Sequence, residues 1–247
     1  MSNKTNYSYI GIAFIILLFA IIFIPRIVDR IKNGDVVRNE SRSDQAKDKN
    51  KYVSDLAFLE INNQPKKVPS FSFTDQNGNT VTNKDYEGKV YVLEFFFTTC
   101  PTICPRMNRN LVQIQEEFKG FDNFGVASFT INPEHDTVEV LKAYAESYKI
   151  TNPNWHLMTG NEEQIYKLAN EGFNLYTAKD DEAEGGFEHS GNFALIDKNG
   201  FIRSRIVNGN PIIYYNGMIS EAEKIDDEGM SEEISILKED IAKLLKE

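Results

Sequence analysis

Residues 89–105 read KVYVLEFFFTTCPTICP, and this stretch decides the fold class. Its first half, up to Phe97, is a run of β-branched and aromatic residues, which is typical of a buried central strand. Two cysteines follow directly, and helical periodicity begins a few residues later. The cysteines are therefore predicted to lie in the loop and first helical turn at the carboxyl end of a central strand, where α/β sheets bind ligands.

The segments on either side of this stretch predict a mixed sheet. The chain reads as a hairpin, a βαβ unit, two further helices, a second hairpin and a closing helix. The predicted strands are 71–73, 80–82, 89–97, 124–131, 193–196 and 201–206, and the predicted helices are 107–118, 137–148, 162–172 and 231–245, with Ser231 as N-cap. This order indicates a thioredoxin-like α/β fold with a central mixed sheet flanked by helices. Residues 208–230 fit no regular element.

The N-terminal part is predicted to be a transmembrane helix followed by a linker. Residues 5–25 carry no charge, and as a helix they would span about 31 Å, close to the hydrocarbon thickness of a bilayer. A cleaved signal peptide is the competing interpretation, but small residues at a cleavage site do not follow the apolar run. We expect a membrane anchor over residues 1–28, a polar linker over 29–64 and the globular domain over 65–247.

Charge limits the classes of partner. The formal net charge is -10, and no run of Lys or Arg is visible, so nucleic-acid binding is not expected. Lys4 precedes the apolar run, whereas Arg26, Arg30 and Lys32 follow it. A count of these cations alone places the globular domain in the cytoplasm.

Cys100 and Cys104 are the candidate reactive pair. Helical geometry places sulfurs four residues apart on one face, one turn from each other, so both can bind one ion or close into a disulfide. A helix N-terminus favours the thiolate through its dipole and free N–H groups. Two thiolates suit Cu(I). A purely structural disulfide is the alternative, although closing so short a loop stabilises little.

A third ligand would come from one of three histidines. Neutral imidazole commonly completes a dithiolate copper site. The residues themselves leave His135, His156 and His189 open, because each is more often a solvated or hydrogen-bonded histidine than a metal ligand.

These segments resemble the SCO/SenC family of copper chaperones for cytochrome c oxidase assembly. The resemblance covers roughly residues 68–245. It rests above all on CPTICP at 100–105, NPEHDT at 132–137 and EHS at 188–190 before a strand. The resemblance implies a thioredoxin-like fold.

The resemblance also implies a metal site and partners. It implies copper, as Cu(I), bound by Cys100, Cys104 and His189. It implies delivery of copper to the binuclear site of cytochrome c oxidase, or reduction of that site's cysteines. The expected partners are the copper-receiving oxidase subunit and a thioredoxin-like reductant. Because both roles operate outside the cytoplasmic membrane, a single-pass protein of the inner membrane with its domain on the periplasmic side is expected, against the charge count.

Some positions depart from the family pattern. Thr102, Asn132 and Glu188 stand where the family commonly has Asp, and His135 replaces an Arg. The loss of a negative charge at Thr102 predicts a copper affinity that differs from the family norm. Residues 208–230 have the character of an insertion.

Two other functions use the same cysteines. A membrane-anchored thiol–disulfide oxidoreductase would use Cys100 as the attacking thiolate, and a copper or redox sensor would act by binding a partner. The spacing of the pair disfavours the enzyme, because general thioredoxins use Cys-x-x-Cys. We therefore expect a metallochaperone rather than an enzyme, with oxidoreductase activity as the alternative.

Overall fold

The computed structural model describes residues 56–180, 182–183, 185–207 and 210–247. The predicted anchor at 1–28 and most of the predicted linker lie outside these residues. Within the described ranges, no helix is both long enough and apolar enough to cross a membrane.

Fourteen strands form in the described part of the chain, many of them short because turn residues interrupt them. They are β1 Ala57–Phe58, β2 Glu60–Ile61, β3 Gln64–Pro65, β4 Ser72–Asp75, β5 Thr80–Thr82, β6 Val90–Phe96, β7 Phe124–Thr130, β8 Trp155–Thr159, β9 Thr177–Lys179, β10 Phe187–His189, β11 Asn192–Ile196, β12 Ile202–Val207, β13 Asn210–Ile212 and β14 Tyr215–Asn216.

The main sheet is mixed, as the sequence predicts. Its order is β1-β12-β11-β6-β7-β8-β4-β5, with β13 beside β12 and β14 beside β11. Strands β6, β7 and β8 run parallel, and the other pairs are antiparallel. Every residue of β6 and β7 is buried, which explains why both sequences are continuous apolar runs rather than alternating ones.

Four α-helices within the described residues cover the sheet. They are α1 Ile103–Phe118, α2 Val138–Ser147, α3 Glu162–Lys167, which continues as a π-helical turn Leu168–Phe173, and α4 Ile234–Lys246. Phe96 of β6 contacts Tyr144 of α2, and Phe95 on the other face contacts Phe173. The core therefore lies on both sides of the central strands, and the crossovers place α1 at the carboxyl end of β6.

Three expectations differ from the structure. The fold begins before residue 65, because Leu56 is buried and β1 pairs with β12. The last helix begins at Ile234, and Ser231 does not cap it, because Ser231 instead forms a β-bridge with Ile225. Residues 208–230 contain β13 and β14, whose two-to-three-residue lengths give no periodicity for a sequence to display.

Candidate metal centre

Cys100 and Cys104 lie at the junction of β6 and α1, as predicted. Cys100 sits in the connecting loop, where its amide donates to the Phe97 carbonyl at 3.2 Å. The side chain of Thr102, at the N-cap position of α1, makes no capping hydrogen bond. The Cys104 amide instead donates to the Cys100 sulfur at 3.4 Å. The sulfur thus accepts one of the free N–H groups of the helix N-terminus, which favours its thiolate form.

His189 reaches the pair from a separate hairpin. It ends β10, which pairs with β9 so that His189 faces Thr177. Its Nε2 lies 3.2 Å from the Cys104 sulfur, and its Nδ1 lies 3.2 Å from the Ser190 carbonyl oxygen. Because a carbonyl only accepts, Nδ1 carries the hydrogen of the neutral ring. The lone pair of Nε2 therefore faces the sulfurs, as metal binding requires.

The three side chains form one buried cluster. The Cys100 and Cys104 sulfurs and a ring nitrogen of His189 all lie within 4.8 Å of one another. Cys104 is fully buried, and Cys100 and His189 are 7% and 9% exposed. In the part of the chain that the structure describes, no other group of three or more His, Cys, Asp and Glu residues has this arrangement.

The other two histidines lie elsewhere and have carboxylate partners. His135 Nδ1 is 2.8 Å from Asp136 Oδ1, and half of its side chain is exposed. His156 Nδ1 is 3.0 Å from Asp75 Oδ2 on β4. The structure therefore brings His189, and neither His135 nor His156, to the cysteines.

The two thiols have opposite acidities. Hydrogen bonds from the Cys104 thiol and from the backbone amides of Cys104 and Thr102 hold the pKa of Cys100 well below its ordinary value, against the effect of burial. Burial, together with the hydrogen bond and charge of Cys100, raises the pKa of Cys104. The thiolate form is therefore favoured at Cys100 and the protonated thiol at Cys104.

Asp136 anchors the cysteine loop, a role that the sequence did not reveal. Its fully buried carboxylate accepts from the Thr98 amide at 3.0 Å, and also from the hydroxyls of Thr98 and Thr130. The loop of the cysteines is thereby joined to the end of β7. The sequence signal that could have identified Asp136 was an acidic residue soon after a buried strand, because a carboxylate buried there needs hydrogen-bond donors.

Two positions that depart from the family pattern have contrasting surroundings. The Thr102 hydroxyl lies 4.0 Å from the Cys100 sulfur, so the missing negative charge is adjacent to the site. Glu188 is exposed, and strand alternation directs it away from the His189 side of β10. The Ser190 carbonyl, rather than Glu188, is the partner of the imidazole.

Residues 210–230, the segment between β12 and α4, join the two halves of the site. Strand β14 pairs with β11, directly after His189, and the Gly217 amide donates to the Gly191 carbonyl at 2.8 Å. From α1, the Asn110 side chain donates to the Gly217 carbonyl at 2.8 Å, and Arg106 forms an ion pair with Glu223 at 2.9 Å. The 210–230 segment therefore ties the helix of the cysteines to the strand that follows the histidine.

Comparison with known proteins gives one consistent result. The family model described as SCO1/SenC matches residues 60–221. A protein of Bacillus subtilis named SCO1 protein homolog is 30% identical over 156 residues, which cover 62% of this chain and 80% of the relative. A protein of Stutzerimonas stutzeri, whose name describes it as a candidate copper-binding protein, is 31% identical over 144 residues, covering 56% and 68%.

A solved structure has the same architecture. The crystal structure of a SCO1/SenC family lipoprotein from Bacillus anthracis superimposes with a TM-score of 0.60 at 28% identity. The superposition covers 76% of this chain and 99% of that protein. The mixed sheet and its helices are therefore those of this structural group.

Proposed function

The chain belongs to the SCO1/SenC family, and we propose that it carries Cu(I) on Cys100, Cys104 and His189. Copper is in this proposal a cargo rather than a resident cofactor. The Sco family is a family of cytochrome c oxidase assembly proteins. We infer that the chain delivers copper to the binuclear site of the oxidase, or prepares the cysteines of that site.

The meeting of three suitable ligand atoms in one buried cluster carries this proposal. Thiolates and imidazole are ligands that Cu(I) and Zn²⁺ accept. Structural zinc sites have four protein ligands, whereas the described residues offer three here. A buried site with two sulfurs and one nitrogen therefore fits Cu(I) better. Because the pKa of Cys100 is lowered, its side chain is already a thiolate near neutral pH, and copper binding costs no free energy for deprotonating it.

Anaerobic titration of the reduced full chain with Cu(I) against a competing chelator tests the site. We expect one Cu(I) per chain. Removing one ligand of three should cost at least the roughly 10–100-fold that even outer hydrogen-bond partners of a metal ligand cost. His189→Ala should therefore lower the affinity by at least that factor, and Cys100→Ser and Cys104→Ser should lower it further because they remove charged ligands.

His156→Ala is the matched control, because His156 binds Asp75 on β4, away from the cysteines. It should leave the Cu(I) affinity near that of the unchanged chain. Equal affinities for the His189→Ala chain and this control would contradict the three-ligand site. In cells, cytochrome c oxidase activity at limiting copper should fall when any one of the three ligands is replaced.

A thiol–disulfide oxidoreductase is the second candidate, because the two thiols differ in acidity as an attacking and a resolving cysteine would. This activity requires both cysteines but no metal ligand from the hairpin. His189→Ala should therefore separate the two functions. Retained oxidase assembly with the His189→Ala chain, together with loss in both cysteine variants, would favour the oxidoreductase.

The cellular location is part of the proposal. The apolar run at 5–25 is proposed to anchor the chain in the inner membrane, and we infer from the proposed role in oxidase assembly that the globular domain lies on the periplasmic side. The acceptor of the copper is then the copper-receiving subunit of the oxidase, and a thioredoxin-like protein is the expected reductant of the cysteine pair.

A further inference from the structure

The 210–230 segment brings a thioether sulfur close to the histidine of the site. A Cβ atom on Gly191 would lie 2.5 Å from both Cγ and Sδ of Met218, and 3.1 Å from its Cε. The end of the Met218 side chain therefore fills the space that a side chain at position 191 would need. The backbone itself does not require glycine there, because the φ of Gly191 is not positive. The absent side chain of Gly191 thus serves to admit the methionine.

This packing confines the sulfur to the neighbourhood of His189. A carbon–carbon bond is about 1.5 Å long, so Met218 Sδ lies within about 4 Å of the Gly191 Cα. A chain spans at most about 3.6 Å per residue, so the Cα atoms of Gly191 and His189 are at most about 7 Å apart. The imidazole and the thioether therefore start from backbone positions that allow both side chains to reach one ion.

The chain around Met218 is attached to α1, the helix whose first turn carries the second cysteine. The Gly217 carbonyl accepts from the Asn110 side chain at 2.8 Å, and Glu223 forms its ion pair with Arg106 at 2.9 Å. From residue 217 to residue 223 the chain therefore runs alongside α1 toward its N-terminus, which is the end that holds the thiols. Met218 is partly buried on this path and packs against the hydrophobic core that includes both cysteines.

The pairing of β11 with β14 fixes the face of the sheet on which Met218 lies. Phe193 faces a tyrosine of β14 whose hydroxyl binds α4. Helices α1 and α4 lie side by side over this face, joined by the ion pair of Lys238 with Glu117 at 3.0 Å. Gly191 precedes Phe193 by two residues, so its side-chain position, which Met218 fills, lies on the same face by strand alternation. The thioether is therefore on the side of the sheet that carries the copper site.

The backbone of Met218 is held in place, whereas its side chain is adaptable. Its amide donates to Asn216 Oδ1 at 2.9 Å, and the Gly217 amide donates to the Gly191 carbonyl at 2.8 Å. Asn216 is held in turn, because its own amide donates to the Glu233 carboxylate at 2.6 Å. A methionine side chain has three rotatable bonds and a polarisable sulfur. The sulfur can therefore shift toward an ion while the backbone stays fixed.

We propose that Met218 is a further Cu(I) ligand, whose thioether joins Cys100, Cys104 and His189 when copper is bound; this inference rests on the proposed function. The sulfur donates a lone pair to the ion. A thioether has no proton to lose, so binding releases no proton from Met218, and copper remains Cu(I).

The chemistry of a thioether gives this ligand a role in metal selection. Thioethers are soft ligands and suit Cu(I), whereas protein zinc sites use thiolate, imidazole and carboxylate. Two thiolates already outweigh the single charge of Cu(I), so a neutral ligand adds a bond without adding repulsion. Met218 should therefore strengthen the binding of Cu(I) but not that of Zn²⁺.

X-ray absorption spectroscopy of the full reduced chain, labelled with selenomethionine and loaded with one Cu(I), tests the proposal directly. Absorption at the copper edge should show a selenium neighbour in addition to sulfur and nitrogen. Absorption at the selenium edge should show a copper neighbour for one of the five methionines. This measurement on the otherwise unchanged chain needs no substitution, so it does not depend on the folding of a variant.

Met218→Leu, labelled in the same way, should lose the selenium neighbour of copper. Leucine nearly conserves the volume of methionine and is tolerated in packed sites, so the fold should be kept. Met230→Leu is the matched control, because Met230 is exposed and belongs to the same segment. It should retain the selenium neighbour.

The affinities of the reduced chain for two metals provide a second readout. Met218→Leu should lower the Cu(I) affinity about 10-fold, the lower end of the loss expected when a metal ligand loses a supporting partner. The affinity for Zn²⁺ should stay unchanged. A role in packing alone would alter both affinities alike, because the same cysteines and histidine bind either ion.

The outcomes separate this inference from the proposed function. A chain that binds Cu(I) without a selenium neighbour would overturn the inference and leave the three-ligand site standing. A selenium neighbour that persists in Met218→Leu would assign the bond to another methionine and overturn it equally, as would equal Cu(I) affinities of Met218→Leu and Met230→Leu. A chain that takes up no Cu(I) from the chelator would overturn the proposed function and this inference together.

Discussion

Among single residues, Glu94 makes the free energy of unfolding depend on pH. Its pKa is about 7 in the folded chain against an ordinary 4.5. The folded state therefore binds the proton more tightly than the unfolded state. The free energy of unfolding decreases as pH rises from the ordinary pKa of 4.5 through the folded-state pKa of about 7. The loss should be about 3 kcal/mol. Glu94→Gln should remove this decline, as measured by urea unfolding of the reduced chain at several pH values.

Ser128→Ala is the opposing control for this measurement. It keeps the carboxyl group but removes the hydrogen bond that lowers its pKa. The decline in stability should then extend to higher pH instead of disappearing. Parallel stability curves for the unchanged chain and Glu94→Gln would show that the carboxyl titrates alike in the folded and unfolded states.

The sequence alone identified functional residues only where the residues next to them supplied the signal. Cys100 and Cys104 lie one helical turn apart after a buried strand, so local geometry alone identified them. His189 was selected by family resemblance, because nothing in its own surroundings separated it from His135 and His156. Glu94 was not identified, since a single acid in an apolar run has no spacing signal and its burial depends on helices far along the chain.

At the scale of elements, the loop of the cysteines depends on its anchor to the end of β7. Asp136→Asn replaces the carboxylate with a side-chain amide, which is a weaker acceptor and also donates. This group would face three donors, the backbone amide of Thr98 and the hydroxyls of Thr98 and Thr130. The Thr98 and Thr130 donors would lose charged hydrogen bonds, and we expect a loss of about 2–4 kcal/mol in the free energy of unfolding. Urea unfolding measures this loss.

Asp122→Asn is the control for this effect, because Asp122 is exposed, and it should change stability by no more than about 0.5 kcal/mol. Amide hydrogen exchange provides a local measurement. The Thr98 amide should exchange faster in Asp136→Asn, since its acceptor is weakened. Equal stability of the two variants would mean that Asp136 does not hold the loop.

Elements with a clear period were predicted well, and elements without one were not. The strands β6 and β7 and the helix α1 have long apolar patterns, and the structure confirms them. The start of α4 was placed too early because Ser231 resembles an N-cap, yet it pairs with Ile225. Strands β1, β13 and β14 escaped prediction, because two or three residues show no alternation and their pairing depends on partners distant in sequence.

For the molecule as a whole, the proposed orientation in the membrane decides whether the proposed role is possible. In that proposal copper is bound for an oxidase site outside the cytoplasmic membrane, so the domain must lie on the periplasmic side. A membrane-impermeant thiol reagent should therefore label Cys100, the more acidic thiol, in intact spheroplasts. Cys100→Ser is the control for labelling of Cys104. Labelling only after lysis would place the domain in the cytoplasm and contradict the role in assembly.

The link between α1 and the strand after His189 has a consequence for biosynthesis. Ribosomes make the chain from its N-terminus, so both cysteines emerge long before His189, and Gly217 and Glu223 follow later still. A nascent chain thus presents two thiols for some time without the imidazole or the 210–230 segment that holds it in place. The proposed copper site can therefore be complete only after the ribosome has passed residue 223, well after both thiols have been made.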